Sequence, residues 1–298
     1  MRGPNFIIAG APKCGTTALY EYLQTHPRVF LTDPKEPHFF ADDLGTHREV
    51  PTRDAYQRLF DGVTDEHLAV GEASVWYLHS QVALRRVREE FPDVRLVLIL
   101  RQPIDFLRSL HSDLVWVCFE DEPDFETAWG LQEQRRAGER IPSLCQVPWF
   151  LDYRSVGQLS RHVSRLREIF PREQTQIMLF DDFKDSPQRV YENVLKFLEV
   201  PSDGRTEFPR VNAGKRSRLS WLARCQATVV RTLPRPCIQF GKRLGLGHLN
   251  RKVTQLNSQP AAPAPLSAEF RQRLVVEFQD DIEALADLLG RDLAHWKR

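Results

Sequence analysis

A lysine and two threonines lie in a short glycine-containing loop near the start of the chain. The loop, Gly10–Thr17, has the sequence GAPKCGTT. It follows an apolar run of strand length and precedes a helical pattern. Backbone N–H groups in such a loop, together with the start of the helix, form a cradle for a phosphate-like anion. The residues expected to bind this anion are Pro12, Lys13, Cys14, Gly15, Thr16 and Thr17.

The position of the lysine distinguishes this loop from the nucleoside-triphosphatase pattern GxxxxGK[ST]. Thr16 stands where that pattern has its lysine, and Lys13 lies three residues earlier. No apolar strand pattern ends in an aspartate that could help to hold Mg²⁺, and the most apolar one ends in Arg101. We therefore expect a donor with fewer charges than ATP and no required metal ion.

Two further parts of the sequence could bind anions. Arg101 follows an apolar strand pattern and Ser109 comes eight residues later; a guanidinium group and a hydroxyl suit a phosphate. Between Arg205 and Lys252 the chain has twelve Lys or Arg residues and one acid, Glu207. Such a block indicates either a solvated basic face or an anion-binding surface.

An amine, a carboxylate and an imidazole lie within four residues at 35–38. This segment has the sequence KEPH and is followed by Phe39 and Phe40. Glu36 is the predicted general base, which would remove a proton from an acceptor. Burial beside the phenylalanines would raise the pKa of Glu36, and Lys35 would oppose that shift. A surface Lys35–Glu36 pair above core phenylalanines is the alternative interpretation.

Another polar cluster, in the segment GEASVWYL, contains Glu72 and Ser74 at the end of a predicted strand. Glu72 could position Lys13 or the acceptor, and Ser74 could contact either substrate. Alternatively, Ser74 caps a helix. We treat Lys35, Glu72 and Ser74 as weaker candidates for the substrate site.

Strand and helix patterns alternate along the chain. Strands are predicted at Asn5–Ala9, Val29–Leu31, Ala69–Val70, Arg95–Leu100 and Gln176–Phe180. Helices are predicted at Thr16–Thr25, Ser80–Phe91, from about Ile104, and at Gly157–Phe170, Ser186–Leu198 and Ala268–Leu289, and an extended loop at Gln259–Pro265. The run RLVLIL lacks alternation, which is typical of a parallel strand covered on both faces. These patterns predict a three-layer α/β/α fold of the P-loop type around a central parallel sheet.

Composition indicates an ordinary globular protein. The 298 residues are 42% hydrophobic and 27% charged, with net charge +1, so we expect one domain over residues 1–298 and no bias toward nucleic acid. Segments 120–150 and 215–265 are interpreted as insertions that line or cover a substrate cleft. The five cysteines lack CxxC spacing and indicate neither a disulfide framework nor a metal site. Without a recognisable signal peptide or an apolar run of about 18 residues, the sequence predicts a cytoplasmic protein.

Taken in order, these motifs resemble the PAPS-dependent sulfotransferases, in particular the glycosaminoglycan (heparan-type) branch and its bacterial relatives. PKCGTT is similar to the 5′-phosphosulfate loop of the family, and EPHFF to its Glu-x-His-Phe-Phe element. The resemblance implies that Lys13 contacts the sulfate and the bridging oxygen of 3′-phosphoadenylyl sulfate (PAPS) and that Glu36 is the catalytic base. His38 is the alternative base, because the cytosolic small-molecule branch uses a histidine in roughly this region.

The resemblance also implies residues for the 3′-phosphate of PAPS. Arg101 and Ser109 match the family's strand-end arginine and later serine, while Gln102 replaces the usual aspartate and would remove a local cap. The stretch after Asn212 is similar to a late basic loop of the family. Its candidate residues are Lys215, Arg216 and Arg218.

The sequence therefore predicts in-line transfer of a sulfuryl group from PAPS to a hydroxyl or amine of a carbohydrate or small molecule. An anionic polysaccharide or a natural product is the expected acceptor. Two alternatives remain: a P-loop phosphotransferase or NTPase-like enzyme, and a non-catalytic nucleotide-binding module. The first would need Mg²⁺ and a late loop lysine, and the second is disfavoured by Glu36 and His38.

Overall fold

The protein consists of two compact units. The computed structural model describes residues 3–209, 211, 215–217, 228, 256–260 and 263–297. The first unit comprises Met1–Phe106, Val156–Asn212 and Leu274–Arg298, and the second comprises Leu107–Ser155 and Ala213–Arg273. The predicted insertions, 120–150 and 215–265, both fall within the second unit. That they line a substrate cleft stays a prediction.

A five-stranded parallel sheet forms the centre of the first unit. Its strands are β1 (Phe6–Gly10), β2 (Val29–Leu31), β3 (Ala69–Ala73), β4 (Arg95–Leu100) and β5 (Thr175–Leu179), in the order β2-β3-β1-β4-β5. Every residue of β1 and β3 is buried, as is every residue of β4 after Arg95. Both faces of these strands are therefore covered, as in parallel sheets generally. The predicted α/β fold around a central parallel sheet is confirmed.

The six predicted helices lie close to their predicted positions, and the described residues contain five further short helices that were not predicted. In chain order the helices are α1 (Thr16–Gln24), α2 (Arg53–Arg58), α3 (Ala83–Glu90), α4 (Pro103–Trp116), α5 (Phe125–Gly130), α6 (Gln132–Arg136), α7 (Tyr153–Gly157), α8 (Leu159–Ile169), α9 (Phe180–Asp185), α10 (Pro187–Phe197) and α11 (Ala268–Leu289). Single 3-10 turns occur at Asp42–His47, Pro148–Leu151, Arg172–Gln174 and Ala294–Lys297. None of the helices in the described ranges is long and apolar enough to cross a bilayer.

Two predicted elements differ from the structure. Helix α3 begins at Ala83 rather than at Ser80, because the Ser80 hydroxyl accepts a hydrogen bond from the Ala83 N–H group (3.0 Å) and donates one to Asp43 (2.6 Å). The predicted loop at 259–265 is wrong at its start. Ser258–Pro260 forms strand β7, which pairs antiparallel with β6 (Lys215–Ser217) in the second unit.

One close contact in the sheet requires a glycine. A Cβ atom on Gly71 of β3 would lie 2.4 Å from ring carbon Cε1 of Phe6 in β1. Real Cβ atoms do not approach so closely, so any larger residue would push the Phe6 ring out of the core. Gly71 thus allows the two central strands to pair with a large aromatic side chain packed against β3.

The second unit contains a buried ion pair. Arg135 of α6 donates hydrogen bonds to both carboxylate oxygens of Glu120, at 2.7 and 2.6 Å, and the Tyr153 hydroxyl donates to Oε2 at 2.7 Å. The Arg135 and Glu120 side chains are 2% and 0% exposed. Because water cannot replace a lost partner at this depth, each charge depends on the other.

We expect Arg135→Met to destabilise the protein by about 3–5 kcal/mol, because Glu120 would be left as a buried carboxylate without its cation. Arg273→Met is the matched control. Arg273 pairs with Glu126 in the same unit, but its side chain is 64% exposed, so its loss should cost at most about 1 kcal/mol. Urea denaturation followed by circular dichroism measures both, and equal losses would contradict this interpretation of the buried pair.

Candidate active site

The carboxyl ends of β1, β3 and β4 lie side by side at one edge of the sheet. β1 is the middle strand of the three, and the chain crosses from one side of β1 to the other between β3 and β4. In open parallel sheets such a reversal leaves a crevice at the carboxyl ends of the strands, where ligands bind. The predicted phosphate loop follows β1 and Arg101 follows β4, so the sheet brings these two predicted elements to one edge.

The phosphate loop leads into α1 without a side-chain cap. Gly15 is the residue before the helix, and no acidic side chain lies in the first turn. The N–H groups of Ala18 and Leu19 both bond to the Gly15 carbonyl oxygen, at 3.0 and 3.2 Å. The N–H groups of Thr16 and Thr17 precede these bonds at the positive end of the helix dipole. Backbone N–H groups in this position can bind an anion, and that those of Thr16 and Thr17 do so stays a prediction.

Both the backbone conformation and the close approach of Phe180 favour glycine at position 15. Its φ angle is 90°, and a Cβ atom would lie 3.1 Å from two ring carbons of Phe180, the first residue of α9. Lys13 also has a positive φ angle, 59°. The loop therefore contains two left-handed residues, one of which, Lys13, bears a Cβ atom and is conformationally strained.

Arg101 lies against the loop from the end of β4. Its Nη1 donates a hydrogen bond to the Lys13 carbonyl oxygen at 3.4 Å, and its guanidinium carbon is 4.8 Å from the centre of the Phe180 ring. Cys14, between Lys13 and Gly15, is fully buried. Burial raises the pKa of its thiol to about 12, although the charges of Arg101 and Lys13 oppose the shift. Cys14 is thus a neutral packing group, and its contribution to an anion site is through the backbone.

Gln102 does provide a cap, contrary to the expectation that it would remove one. Its Oε1 accepts a hydrogen bond from the Asp105 N–H group at 2.7 Å, in the first turn of α4. Its Nε2 donates to the carbonyl oxygen of Trp296 at 3.1 Å. The longer amide side chain therefore satisfies the helix start as an aspartate would, and also contacts the end of the chain.

Glu36 and His38 both adopt left-handed backbone conformations. Their φ angles are 67° and 53°, and with Lys13 they form three of the six non-glycine residues of positive φ in the described part of the chain. Such residues cost roughly 1–3 kcal/mol each and occur mostly at functional sites. Two hydrogen bonds to the end of β3 hold them: Glu36 N–H to the Ala73 carbonyl oxygen at 2.8 Å, and His38 N–H to Ser74 Oγ at 3.0 Å.

The Glu36 carboxylate contacts both of its charged or polar neighbours. Lys35 Nζ donates a hydrogen bond to Oε1, and His38 Nε2 lies 3.3 Å from Oε2. Burial raises the pKa of Glu36, but the close approach of the His38 imidazole and the charge of Lys35 outweigh it, and the pKa lies well below its ordinary value. Both opposing effects named from the sequence, burial and the charge of Lys35, therefore act in the expected directions, and the lowering effects are the larger. The carboxylate is ionised at neutral pH and 33% exposed.

The phenylalanines after the turn are core residues. Phe39 and Phe40 are 4% and 1% exposed, and the Phe39 ring stacks on Tyr56 of α2 at 4.5 Å. The Lys35–Glu36 pair of the alternative interpretation is present as well. A paired carboxylate 33% exposed to solvent thus lies beside a buried aromatic cluster, and its role as a base stays a prediction.

Glu72 and Ser74 are hydrogen-bonded to each other, and Ser74 also to the turn that carries Glu36. Both are 0% exposed, and the Ser74 hydroxyl donates to Glu72 Oε2 at 2.5 Å while accepting the His38 N–H bond. Ser74 therefore caps no helix, and its contact is with the turn that carries Glu36. That either residue contacts a substrate stays a prediction.

Comparison with known proteins identifies the family. A family model for the sulfotransferase domain matches residues 3–213, which include the phosphate loop, the Glu36 turn, Arg101 and Ser109. The chain belongs to the sulfotransferase-domain family.

Similar proteins of this family come from animals, an amoeba and bacteria. Human "bifunctional heparan sulfate N-deacetylase/N-sulfotransferase 3" is 29% identical over 67% of the chain, and the match spans 22% of the human protein. The "membrane-associated sulfotransferase kil1" of Dictyostelium discoideum is 29% identical over 41% of the chain and 26% of that protein. A crystal structure of a sulfotransferase from Alicyclobacillus acidocaldarius is 27% identical, covers both chains completely and has a TM-score of 0.72.

The other predicted site residues of this sulfotransferase-domain protein are placed as follows. Ser109 lies in α4, in the second unit, and the backbone of Lys215 and Arg216 forms part of β6. Arg218 lies outside the described residues. A cavity of about 680 Å³ in the first unit is lined by residues that include Arg53 and Tyr56 of α2 and Arg86 of α3, and by none of the predicted site residues.

We expect Gly15→Ala to destabilise the sulfotransferase domain by about 1–2 kcal/mol through its left-handed backbone and to weaken binding of adenosine 3′,5′-bisphosphate at least tenfold by moving the loop away from Phe180. Gly138→Ala is the matched control, because Gly138 has a φ angle of 85° and nothing lies within 4 Å of its added Cβ. The control should lose similar stability but no affinity. Denaturation and calorimetric titration measure the two effects, and undiminished affinity in Gly15→Ala would refute the role of the loop.

Proposed function

We propose that this protein transfers the sulfuryl group of PAPS to a hydroxyl or amine of a carbohydrate or small-molecule acceptor. One arrangement supports this proposal more than any other. The loop with Lys13 and the uncapped start of α1 lie at the carboxyl end of β1. The Glu36 turn, with its ionised and partly exposed carboxylate, lies at the carboxyl end of the adjacent strand β3. The first suits an anionic donor and the second suits removal of an acceptor proton.

The loop residues fit the 5′-phosphosulfate group of the donor. The Thr16 and Thr17 N–H groups provide hydrogen bonds without a competing side-chain cap, and Lys13 provides a positive charge for the bridging oxygen. Pro12, Cys14 and Gly15 shape the backbone between them. Arg101, Ser109, Lys215, Arg216 and Arg218 remain the candidates from the sequence for the 3′-phosphate.

The proposed reaction needs a base and a partner for the leaving oxygen. Glu36 accepts the proton of the acceptor hydroxyl or amine as the acceptor atom forms a bond to sulfur. The bond between sulfur and the bridging oxygen breaks, and its electron pair stays on the 5′-phosphate of adenosine 3′,5′-bisphosphate, where Lys13 stabilises the negative charge. Because Lys35 lowers the basicity of Glu36, an acceptor that draws Lys35 away would strengthen the base.

An amine- or hydroxyl-bearing carbohydrate is the favoured acceptor. Relatives of the chain are named heparan sulfate N-sulfotransferases, and the basic block from Arg205 to Lys252 suits an anionic polysaccharide. A natural product remains the second class, and nucleic acid is not expected. Radiolabelled PAPS offered with de-N-sulfated heparin, an uncharged oligosaccharide or 4-nitrophenol separates polysaccharide amines, sugar hydroxyls and phenols. The predicted cytoplasmic location rests on the sequence alone.

The nucleotide preference tests the proposal against its alternatives. We expect adenosine 3′,5′-bisphosphate to raise the melting temperature more than ATP with Mg²⁺, because Thr16 replaces the lysine that grips the β- and γ-phosphates in nucleoside triphosphatases. A preference for ATP with Mg²⁺ would favour a phosphotransferase. No required metal is proposed. In the ranges that the structure describes, no three or more His, Cys, Asp or Glu side chains could together hold a metal ion, and turnover in EDTA tests the point directly.

We predict that Lys13→Ala lowers kcat by about 10²–10³-fold, because charge on the leaving oxygen loses its partner. Lys196→Ala, which removes an exposed lysine of α10, is the control and should leave kcat unchanged. Steady-state sulfate transfer from PAPS measures both. Near-normal turnover of Lys13→Ala would remove the lysine from the reaction.

We predict that Glu36→Gln lowers kcat by about 10²–10⁴-fold and leaves the affinity for adenosine 3′,5′-bisphosphate unchanged, because the base acts on the acceptor. The exposed Glu49→Gln substitution nearby is the control. If Glu36→Gln keeps its activity and His38→Ala loses it, the imidazole is the base instead.

A further inference from the structure

The turn that carries Glu36, the candidate base, is held by hydrogen-bond acceptors that lie outside the turn. His38 has a φ angle of 53° and its side chain is 2% exposed. Its N–H group donates to Ser74 Oγ at 3.0 Å, and the preceding strained residue, Glu36, donates its N–H to the Ala73 carbonyl oxygen. Left-handed backbone persists only where its surroundings fix it. Ala73 and Ser74, consecutive residues at the end of β3, accept the two hydrogen bonds that hold the turn.

The carbonyl of Ala73 is held by the strand, but the hydroxyl of Ser74 can rotate. A serine hydroxyl has one hydrogen and two lone pairs, so it accepts the His38 N–H bond only when its hydrogen points elsewhere. That hydrogen points to Glu72 Oε2, and the distance between Ser74 Oγ and Glu72 Oε2 is 2.5 Å. Glu72 therefore determines the direction in which Ser74 offers its lone pairs to the turn.

Burial of the Glu72 carboxyl group is unfavourable for the free energy of folding. Glu72 is 0% exposed, and among the residues that the structure describes no lysine or arginine forms an ion pair with it. The Tyr56 hydroxyl, 3.4 Å from Oε1, is a second partner. Burial raises the pKa of Glu72 to about 7, the negative charge of Glu36 adds to the shift, and the hydrogen bonds from Ser74, Tyr77 and Tyr56 oppose it. A buried carboxyl without a cation stabilises a fold poorly, which favours a role in the site.

We propose that Glu72 is a positioning residue for sulfuryl transfer, which acts through the Ser74 hydroxyl to hold the backbone of His38 and thereby the carboxylate of Glu36 in place. This inference rests on the proposed function of the Glu36 turn. It assigns to Glu72 no contact with donor or acceptor, so loss of Glu72 should change turnover and not donor affinity.

The decisive comparison is between Glu72→Leu and Glu72→Gln. Leucine removes the acceptor of the Ser74 hydrogen, whereas the glutamine amide keeps an oxygen in nearly the same place. We expect Glu72→Leu to lower kcat at least tenfold, Glu72→Gln to stay within about threefold of the unaltered protein, and both to bind adenosine 3′,5′-bisphosphate within about twofold of it. Turnover is measured with PAPS and the most active acceptor of the panel above. Equal turnover in the leucine and glutamine variants would overturn the inference.

Ser74→Ala provides a second test that needs neither the Glu72→Leu variant nor a substrate that accepts the sulfuryl group. Hydrogen exchange of the His38 amide should become at least tenfold faster when its acceptor is removed. Thr32→Val is the matched control: Thr32 is also 0% exposed and close in sequence to the turn, but its hydroxyl makes no hydrogen bond among the described residues. It should change neither exchange nor turnover. Unchanged exchange in Ser74→Ala would contradict the proposed hydrogen bond and with it the inference.

The outcomes separate this inference from the proposed function. If Glu36→Gln is inactive while Glu72→Leu and Ser74→Ala turn over normally, the base stands and the positioning role of Glu72 fails. If Glu36→Gln and His38→Ala are both fully active, the proposed base itself fails, whatever Ser74→Ala does to amide exchange.

Discussion

The hydrogen bonds from the Glu36 and His38 N–H groups to the end of β3 determine the geometry of the candidate site. Both residues carry a Cβ atom and adopt a conformation that L-residues avoid, so the turn would relax without those two acceptors. Ala73 is the last residue of β3, a strand paired with β1 and with β2, and Ser74 follows it directly. The rigidity of the sheet is therefore passed to the turn. A general base must be held in a defined position relative to the substrate atom from which it removes a proton, and such support provides that position.

The same sheet fixes the donor side. Ile8 of β1 pairs with Ala73 of β3, and Gly10 pairs with Leu98 of β4. Beyond the ladder, the Ala11 N–H group still donates to the Ile99 carbonyl oxygen at 2.9 Å. The phosphate loop and Arg101 therefore begin within a few residues of the last paired positions of β1 and β4, and the Glu36 turn follows β2, whose last paired residue is Leu31. A one-residue slip of any of these strands would move its functional group and turn its buried side chains to the other face.

The sequence alone predicted the elements that local pattern determines. The unbroken apolar run of β4 indicated a buried parallel strand, and the spacing of Gly10, Gly15 and Thr17 indicated an anion-binding loop. The first is confirmed. The second is found between a strand and a helix, and its binding of an anion stays a prediction. The pairing of Ser258–Pro260 with β6 was missed, because the two segments are far apart in sequence and Pro260 favoured a loop.

The electrostatics of the site could not be predicted in the same way. The sequence placed Lys35 and His38 beside Glu36, but their combined effect on its pKa depends on the 3.3 Å approach of His38 Nε2 to Oε2. That distance follows from two left-handed residues separated by Pro37, a backbone path that no residue preference of glutamate or histidine indicates. Likewise, the sequence pointed to the motif containing Glu72, whereas the complete burial of this residue and its contact with Tyr56 of α2 depend on tertiary packing.

A crystal structure with bound adenosine 3′,5′-bisphosphate tests the assignment of the donor site most directly. The 5′-phosphate should lie within roughly 2.7–3.2 Å of the main-chain nitrogens of Thr16 and Thr17 and close to Lys13 Nζ, with the Glu36 carboxylate facing the position of the transferred sulfur. A 5′-phosphate bound away from the loop, for example in the cavity beside α2 and α3, would contradict it.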